Sequence, residues 1–430
     1  MAKRQEGPLK AVIVGAGHRS ILYASYSEMH PEELQIVGVA DPDPVRVAST
    51  AARFNIPPEN CYETAADLVK VPRFADIIIN GTMDSDHVPT AIPLLEAGYD
   101  MLLEKPISTT QEDLLLLWET AQRTGRKVVI CHVLRYAPFY AAIHERVKRG
   151  DIGKILTMST AEHISYHHIA VVYVRGKWNR VDTGGSTLLM AKCCHDLDLL
   201  TWMKEGVRPA KVASFGNRMY FRPVCAPEGA GTRCLLDCPI ERNCVYSARK
   251  HYLEMDLWEP YVWHDLEYLG NSITYADKEK YLRETSPYGR CVWHCDNDIV
   301  DHQVVNVEFE DGTIASHVLS SGNARPCRQI KLVGTKGEIE GTMEDLSFVV
   351  RHPDPRPGHE YTEERLVLDI ERDFHGGGDL RLVAAALKTF RTGDPSHSTS
   401  SLANSIDGHL IGFAADRSRV NGKIEAIPEL

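Results

Sequence analysis

The spacing of apolar positions divides the chain into two parts with different patterns. In the first third, short apolar runs alternate with amphipathic stretches of helical length. The apolar runs typical of buried strands lie at 10–14, 35–40, 75–80, 99–103 and 127–131. The stretches between them predict helices at 18–29, 45–54, 88–97 and 112–124. Strand–helix alternation of this kind predicts an α/β fold with a doubly wound parallel sheet covered on both faces.

Beyond about His132 the pattern changes to half-buried strands that suit an antiparallel sheet. These strands are predicted at 155–163, 304–309, 314–319, 330–332 and 346–350. Asp311-Gly312 lies between two of them and predicts a hairpin. Further helices are predicted at 139–149, 380–391 and 402–420. We therefore divide the chain into domains at 1–135 and 136–430, the second with an irregular insertion at about 214–295 that is rich in Pro, Cys and aromatic residues.

Composition excludes several classes of protein. The 430 residues carry a net charge of −11, which argues against nucleic-acid binding, where a basic face is usual. The chain has no apolar run of the ~20 residues that a membrane helix needs. The N-terminal residues show no signal-peptide pattern, so we expect a cytoplasmic protein. The 11 cysteines are therefore expected to be thiols or metal ligands instead of disulfides.

A glycine motif follows the first predicted strand. In VIVGAGHRS, Gly15 and Gly17 lie between strand and helix, and Ser20 replaces the third glycine of GxGxxG. Glycine lets the backbone turn tightly and approach a pyrophosphate at a helix N-terminus. Asp41 ends the next strand, where an acid binds the ribose hydroxyls of NAD and disfavours NADP. Arg19, in contrast, lies where it could face the extra phosphate of NADP. The alternative is a tight turn that simply needs glycine.

The order of four motifs along the chain is more specific than any one of them. They are VGAGHRS, VADPD, HVPTAIPLLEAGYDMLLEKPIS and GGSTLLMAKCCHDLDLLTW. This order resembles the Gfo/Idh/MocA family, which includes glucose–fructose oxidoreductase and inositol dehydrogenase, over nearly the whole chain. The resemblance implies a Rossmann domain followed by an α/β domain with an open, mostly antiparallel sheet. That sheet commonly forms the subunit interface, so we expect a homodimer or homotetramer.

The resemblance also implies site residues. The cofactor positions are Gly15, Gly17, His18, Arg19, Ser20, Asp41, Thr82, His87, Glu104 and Lys105. Lys105 and His195 are expected around the reacting hydroxyl, one taking its proton and one polarising its oxygen. The family often has an acid at the position of Ala191, so Lys192 is a candidate to replace part of the relay. Lys192 and an oxidised nicotinamide are expected to lower the pKa of Lys105. Asp196 is expected to be a solvated or capping charge.

A second polar cluster suits a sugar, whose hydroxyls need hydrogen bonds and whose apolar face stacks on aromatic rings. The predicted substrate residues are Tyr166, His168, Arg175, Trp178 and Asp198. We expect Tyr166 and His168 to be presented together; the alternative is a strand with exposed histidines. The segment HGGGD at 375–379 is a candidate loop over the site, or only a linker before a helix.

The insertion contains the cysteine series Cys234-x3-Cys238-x5-Cys244. Thiolates this close could bind zinc, but the spacing matches no common zinc motif, and reduced buried thiols are the alternative. We leave a metal unassigned.

The function expected from these features is NAD-dependent hydride transfer from a secondary hydroxyl of a sugar, polyol or glycoside. One alternative is a redox-neutral glycosidase or lyase that oxidises the sugar transiently and then eliminates its substituent. The other is a non-catalytic sensor of NAD or of a sugar.

Overall fold

The N-terminal part of the chain forms a parallel sheet of six strands in the computed structural model, which describes residues 7–369, 377–393, 395–396 and 398–429. The strands in chain order are β1 (Leu9–Val14), β2 (Leu34–Ala40), β3 (Cys61–Tyr62), β4 (Ile77–Asn80), β5 (Asp100–Leu103) and β6 (Val128–Ile130). Their order across the sheet is β3-β2-β1-β4-β5-β6, and all neighbours are parallel. The chain thus builds outward from β1 in both directions, which confirms the predicted doubly wound sheet.

Helices connect these strands and cover the sheet. They are α1 (His18–Ala24), α2 (Tyr26–Met29), α3 (Pro44–Phe54), α4 (Ala65–Leu68), α5 (His87–Glu96) and α6 (Gln111–Thr124). The sequence marks their ends: the Asp43 side chain accepts the N–H of Val45 at the start of α3, and Gly125 ends α6 at a φ of 66°. The predicted helix at 18–29 divides into α1 and α2, and the two-residue β3 is too short for the apolar pattern to predict.

The rest of the chain builds a nine-stranded sheet. Its strands are β7 (Ile155–Ser165), β8 (Pro209–Asn217), β9 (His302–Phe309), β10 (Ile314–Asn323), β11 (Cys327–Gly334), β12 (Glu338–Thr342), β13 (Ser347–Pro353), β14 (Tyr361–Val367) and β15 (Glu425–Ala426). Their order is β14-β13-β12-β11-β7-β10-β9-β8-β15. Only β7 and β10 pair in parallel among these described strands, so the mostly antiparallel sheet is confirmed. The predicted hairpin joins β9 and β10, with Gly312 at a φ of 84°.

The remaining helices follow β6 along the chain. They are α7 (Pro138–Lys148), α8 (Tyr166–His168), α9 (Val181–Gly184), α10 (Leu188–Met203), α11 (Glu259–Val262), α12 (Tyr275–Glu284), α13 (Gly378–Thr392) and α14 (Leu402–Asn421). Two π-helical turns cover Ile169–Arg175 and Arg249–Glu254. Short 3-10 turns cover Pro58–Asn60, Asp84–Asp86, Val133–Tyr136, Pro223–Cys225, Glu241–Asn243, His264–Ser272, Pro287–Gly289 and Met343–Asp345. None of the helices in the described ranges is both long and apolar enough to cross a membrane.

Helix α13 packs against the first sheet, although the predicted boundary after residue 135 assigns it to the second domain. Its apolar side chains, including Leu382, Val383 and Leu387, share one buried cluster with Ile13 and Val129 of the first sheet. The strip after α13 also adds to the edge of that sheet, since Ile130 N–H donates to the Ser400 carbonyl oxygen at 2.7 Å. The first domain is therefore built from residues 9–136 together with a segment from far along the chain.

The irregular insertion is bounded by two neighbouring strands of the second sheet. Strand β8 ends at Asn217 and β9 starts at His302, so the insertion begins a few residues later than the predicted start at 214. Because β8 and β9 pair with each other, the insertion enters and leaves the sheet at one end. Pro260 and Tyr261 of α11 line a cleft between the two sheets.

Candidate active site

A cleft of about 500 Å³ lies between the two parts of the chain. One wall comes from the loops that follow β1, β2, β4 and β5 of the parallel sheet. The other comes from α10, the segment 168–178 and the insertion. The carboxyl ends of parallel strands are where ligands bind in such sheets. The predicted site residues that line the cleft are Gly15, Gly17, His18, Arg19, Asp41, Thr82, His87, Glu104, Lys105, His168, Trp178, Lys192 and His195.

The glycine loop shapes the floor of the cleft at the end of β1. Gly15 has a φ of 79°, and a Cβ on it would lie 2.7 Å from the Thr82 amide nitrogen, so only glycine fits. A Cβ on Gly17 would meet nothing within 4 Å and would project into open space. Ser20 is fully buried behind this loop, where a side chain at Gly81 would collide with its hydroxyl. Ser20 therefore packs α1 against the sheet and does not line the cleft.

Asp41 ties the glycine loop to the end of β2. One carboxylate oxygen accepts the Ala16 N–H at 2.7 Å, and the other accepts the Asp43 N–H at 2.8 Å. Each oxygen of a carboxylate can accept more than one hydrogen bond, so both retain a lone pair for a further donor. The carboxylate is 7% exposed and reaches the cleft.

Glu104 is the centre of a buried ion-pair network under the glycine loop. Its carboxylate accepts hydrogen bonds from Arg19 Nε at 3.0 Å, from the Tyr23 hydroxyl at 2.6 Å and from the Lys105 N–H at 2.7 Å. Burial alone would raise the pKa of Glu104, but the cations of Arg19 and Lys105 lower it. Arg19 also pairs with Asp379 at 2.5 Å, so its charge is compensated within the protein. Asp379 belongs to the predicted loop at 375–379, of which 375 and 376 lie outside the described residues.

Two polar side chains brace the loop after β4. His87 has its ring nitrogens 2.7 Å from the Pro106 carbonyl oxygen and 3.2 Å from that of Thr82. The Thr82 hydroxyl donates to the Asn80 side chain at 3.0 Å. Asp84, which the sequence analysis missed, is buried at the cleft wall and accepts the Trp178 indole N–H at 3.1 Å. This hydrogen bond joins the two walls of the cleft, because Asp84 follows β4 and Trp178 belongs to the opposite wall.

Lys105 follows β5 and points toward α10. Its ammonium donates to the Ala191 carbonyl oxygen at 2.9 Å, so the position that often carries an acid supplies a backbone acceptor here. Burial alone would lower the pKa of Lys105, but Cys194, Glu104 and Asp84 outweigh burial and raise it. Lys105 is therefore a cation at neutral pH in this structure. The expected lowering of its pKa by Lys192 and an oxidised nicotinamide concerns the site with its cofactor and stays a prediction.

Lys192 lies at the edge of a buried charge cluster. Its ammonium is 3.4 Å from Glu162, which also pairs with Arg328 at 2.6 Å. Burial lowers the pKa of Lys192, and Glu162 offsets this in part. Arg328 also pairs with Asp196 at 3.2 Å. The expectation for Asp196 is thus wrong: its side chain is buried, and burial raises its pKa to about 7 despite the nearby Arg328.

His195 lies one helical turn beyond Lys192 on α10 and lines the cleft. Its ring is edge-on to that of His132, with centroids 5.6 Å apart, and His132 in turn lies 5.5 Å from His409. Sequence reasoning missed His132 and His409 because they are distant from the motifs along the chain. Burial lowers the pKa of both, that of His409 to about 3, so His132 and His409 are neutral behind the cleft.

Two predicted substrate residues are buried away from the cleft. Arg175 is 1% exposed, and its guanidinium bonds to Tyr252, Cys234 and backbone oxygens of the insertion. Asp198 is fully buried and forms a two-pronged ion pair with Arg135, with both distances 2.7 Å. These placements correct the predictions for Arg175 and Asp198, which stabilise the fold where they lie.

Tyr166 and His168 lie on one short helical turn, α8, instead of on a strand. Strand β7 ends at Ser165, and the chain then coils instead of continuing the alternation that the prediction assumed. His168 lines the cleft and stacks on Trp258, with ring centroids 4.4 Å apart. Tyr166 lines a different pocket, beside Tyr246 and His302. The expectation that Tyr166 and His168 are presented together is therefore wrong.

The insertion contributes cleft residues that the sequence analysis did not single out. Pro260, Tyr261, His264 and Tyr288 all face the cleft. The density of aromatic residues around WEPYVWH at 258–264 was the available signal. The insertion is thus a wall of the cleft as well as an appendage of the sheet.

Comparison with known proteins agrees with this architecture. A family model described as an oxidoreductase family, NAD-binding Rossmann fold, matches residues 9–132. A second, described as an oxidoreductase family, C-terminal alpha/beta domain, matches residues 144–396. The chain belongs to the Gfo/Idh/MocA family. The family resemblance inferred from the four motifs is therefore confirmed.

Three relatives illustrate the range of this family. The putative oxidoreductase YteT of Bacillus subtilis (strain 168) is 26% identical over 357 residues, covering 80% of each chain. Inositol 2-dehydrogenase of Corynebacterium glutamicum (strain R) is 23% identical over 200 residues, covering 45% of this chain and 54% of that protein. The solved structure of levoglucosan dehydrogenase with NADH and levoglucosan has a TM-score of 0.70 at 15% identity, over 98% of this chain and 100% of that one. At this identity the structural likeness shows a shared Gfo/Idh/MocA fold.

Proposed function

We propose that the protein is an NAD-dependent dehydrogenase that oxidises a secondary hydroxyl of a sugar, polyol or glycoside. The observation that carries this proposal is that one cleft joins the glycine loop and Asp41 to Lys105, Lys192 and His195. The relatives that act on inositol and levoglucosan support the substrate class.

The residues present fit a dinucleotide. Gly17 leaves open space where a side chain would block the approach of a pyrophosphate to the loop. Asp41 retains acceptors for ribose hydroxyls, and bound NAD would supply the acceptor for the hydrogen leaving the substrate carbon. NAD is favoured over NADP because Arg19 is held by Glu104 and Asp379. We expect kcat/KM to be higher with NAD than with NADP, and Asp41→Ser to reduce that ratio.

The acid–base work divides among three side chains. Lys105 stays protonated, so it donates to the substrate oxygen and stabilises the alkoxide character that develops there. The hydroxyl proton passes to Lys192, whose pKa burial lowers, or to His195 one turn away. The carbonyl of Ala191 holds Lys105 in place where an acid side chain is absent.

The test is turnover of the full-length protein with NAD and a panel of inositols, anhydrosugars, aldoses and glycosides, read as NADH absorbance. Lys105→Met should lower kcat by about 10²–10⁴-fold, the usual contribution of such a group, while the Kd for NAD changes little. Lys127→Met is the matched control, because the Lys127 ammonium bonds to backbone oxygens of α13 outside the cleft. An unchanged kcat in Lys105→Met would contradict the proposed role. NAD binding without turnover of any substrate would instead favour the sensor alternative.

A second candidate is redox-neutral cleavage of a glycoside. His168, His264, Tyr261 and Tyr288 line the cleft in addition to the three residues above, and elimination needs an acid and a base beyond those for hydride transfer. This candidate requires release of the aglycone with catalytic NAD and no net NADH. Release that continues after all NAD is removed would exclude it.

The proposal includes a homo-oligomer, formed through the outer face of the nine-stranded sheet. Phe215, Val304 and Val318 stand side by side in register on that face, and Phe215 is 73% exposed. Large exposed apolar rows of this kind are typical of interfaces. Light scattering after size-exclusion chromatography should give a dimer or tetramer, and Phe215→Glu should shift it to the monomer. We expect this assembly in the cytoplasm.

A further inference from the structure

Four cysteines of the insertion face one small cavity. Cys234, Cys238 and Cys244 come from one stretch, and Cys291 comes from the far end of the insertion. We propose that these four thiolates, the cysteine ring, bind a metal centre that holds the insertion in its fold. The proposal is independent of the catalytic function, because the ring lies outside the cleft.

The charge around the ring favours an anionic centre. The buried Arg175 guanidinium lies 3.4 Å from Cys234 Sγ. Its other hydrogen bonds go to neutral oxygens of Tyr246, Tyr252 and Arg290, and no carboxylate in the described part of the chain forms an ion pair with it. A buried guanidinium without a counter-charge is strongly unfavourable. Four thiolates around a metal carry a net negative charge and supply the missing partner.

A backbone N–H group is directed at one of the sulfurs: the Tyr246 N–H donates to Cys244 Sγ at 3.4 Å. Hydrogen bonds to sulfur are a regular part of thiolate metal sites, where they orient the ligands and tune the centre.

The width of the ring suits a cluster better than a single ion. Zinc bound by four thiolates at ~2.3 Å in a tetrahedron brings every pair of sulfurs to within ~3.8 Å. Among the described residues, three donor atoms that lie within 4.8 Å of one another belong to Cys193, Asp196 and His317, outside the ring. No three sulfurs of the cysteine ring come that close together. The sulfurs of the cysteine ring are thus more widely spaced than mononuclear zinc requires. In an iron–sulfur cluster each of four cysteines binds a different iron, so a cluster spans a wider ring than a single ion, and we assign a cluster to the cysteine ring.

The centre would support the substrate side of the cleft. Arg175 ends the π-helical turn Ile169–Arg175, whose Val172 and Tyr173 line the cleft. Tyr288, three residues before Cys291, lines it too. Loss of the centre should therefore raise KM for the substrate and leave the Kd for NAD, set by the parallel-sheet loops, nearly unchanged.

The first experiment measures iron, acid-labile sulfide and zinc in the full-length protein purified without oxygen. We expect roughly four iron and four sulfide per chain, with a visible absorption band that bleaches on reduction. One zinc per chain without iron would keep the ring as a metal site and overturn its assignment to a cluster. A protein that holds neither metal, also after incubation with iron and sulfide or with zinc, would overturn the proposal.

The second experiment compares cysteine variants within the insertion. Cys238→Ser and Cys291→Ser should each lower the metal content at least tenfold. Cys225→Ser and Cys295→Ser are the matched controls, since Cys225 is half-buried like Cys238 and Cys295 is buried like Cys291, yet neither lines the ring. Full metal content in Cys291→Ser with loss in Cys295→Ser would overturn the ligand set. An unchanged Kd for NAD shows that a variant retains a folded parallel-sheet domain. If a variant does not fold, the metal content of the wild-type protein still tests the proposal.

Discussion

Disrupting the ion pair between Asp198 and Arg135 tests whether Asp198 has a structural or a substrate-binding role. Both side chains are almost fully buried, and two hydrogen bonds of 2.7 Å join them. Asp198→Asn leaves the Arg135 charge buried without a partner, which costs about 3–5 kcal/mol of the free energy of unfolding. At about 2 °C per kcal/mol for a large domain, the melting temperature should fall by roughly 6–10 °C.

The assay is thermal unfolding together with steady-state kinetics. Asp407→Asn is the control on α14, because its partner Arg208 is 3.0 Å away and both are partly exposed, so it should cost at most about 1 kcal/mol. Arg135→Met also frees the Asn404 carbonyl oxygen, and the double variant Arg135→Met/Asp198→Leu should be more stable than the sum of the two single losses. An unchanged melting temperature with a raised substrate KM in Asp198→Asn would refute the structural role.

Three further predictions concern the cleft and the charge cluster behind it. If Lys192 takes the proton, kcat/KM should rise with pH as the Lys192 ammonium loses its proton and becomes a free amine. Lys192→Arg should lower kcat/KM and abolish its rise with pH, because arginine stays protonated. Gly17→Val should weaken NAD binding at least tenfold in calorimetry with little loss of stability, whereas Gly15→Ala should destabilise the fold because of its φ of 79° and its contact with Thr82. The pKa of Asp196 is raised to about 7 in the folded chain and is near 4 in the unfolded chain. The stability that Asp196 contributes is therefore complete below about pH 4 and is lost as the pH rises to about 7. In Asp196→Asn, denaturation at a series of pH values should show no such fall in the free energy of unfolding.

The parallel-sheet domain could be predicted from the sequence because its signals are local. Each strand is a short apolar run, and the glycine loop and Asp41 follow directly from the ends of β1 and β2. The cleft position of Lys105 and His195 required the family resemblance. Periodicity places a lysine after a strand and a histidine on a helix, but it does not bring the two elements together.

The errors concern residues whose partners are far away in sequence. Asp196 is buried because Arg328 meets it from 132 positions along the chain. Arg175 is committed to the insertion, which no periodic pattern describes. The alternation that grouped Tyr166 with His168 stops where the Ser165 side chain caps a helical turn. In each case a tertiary contact, or a switch in local conformation, overrides what the neighbouring residues suggest.

The return of α13 to the first sheet limits how the two halves of the protein can move. The chain passes between the sheets three times: after β6, before α13 and after α13. A single connection would leave the relative orientation of the halves to one linker, whereas three connections hold them together at more than one point. The Arg19–Asp379 ion pair adds a further link, from the start of α13 to the glycine loop. For the same reason, a fragment ending near residue 135 would lack one cover of its sheet and should be insoluble when produced alone.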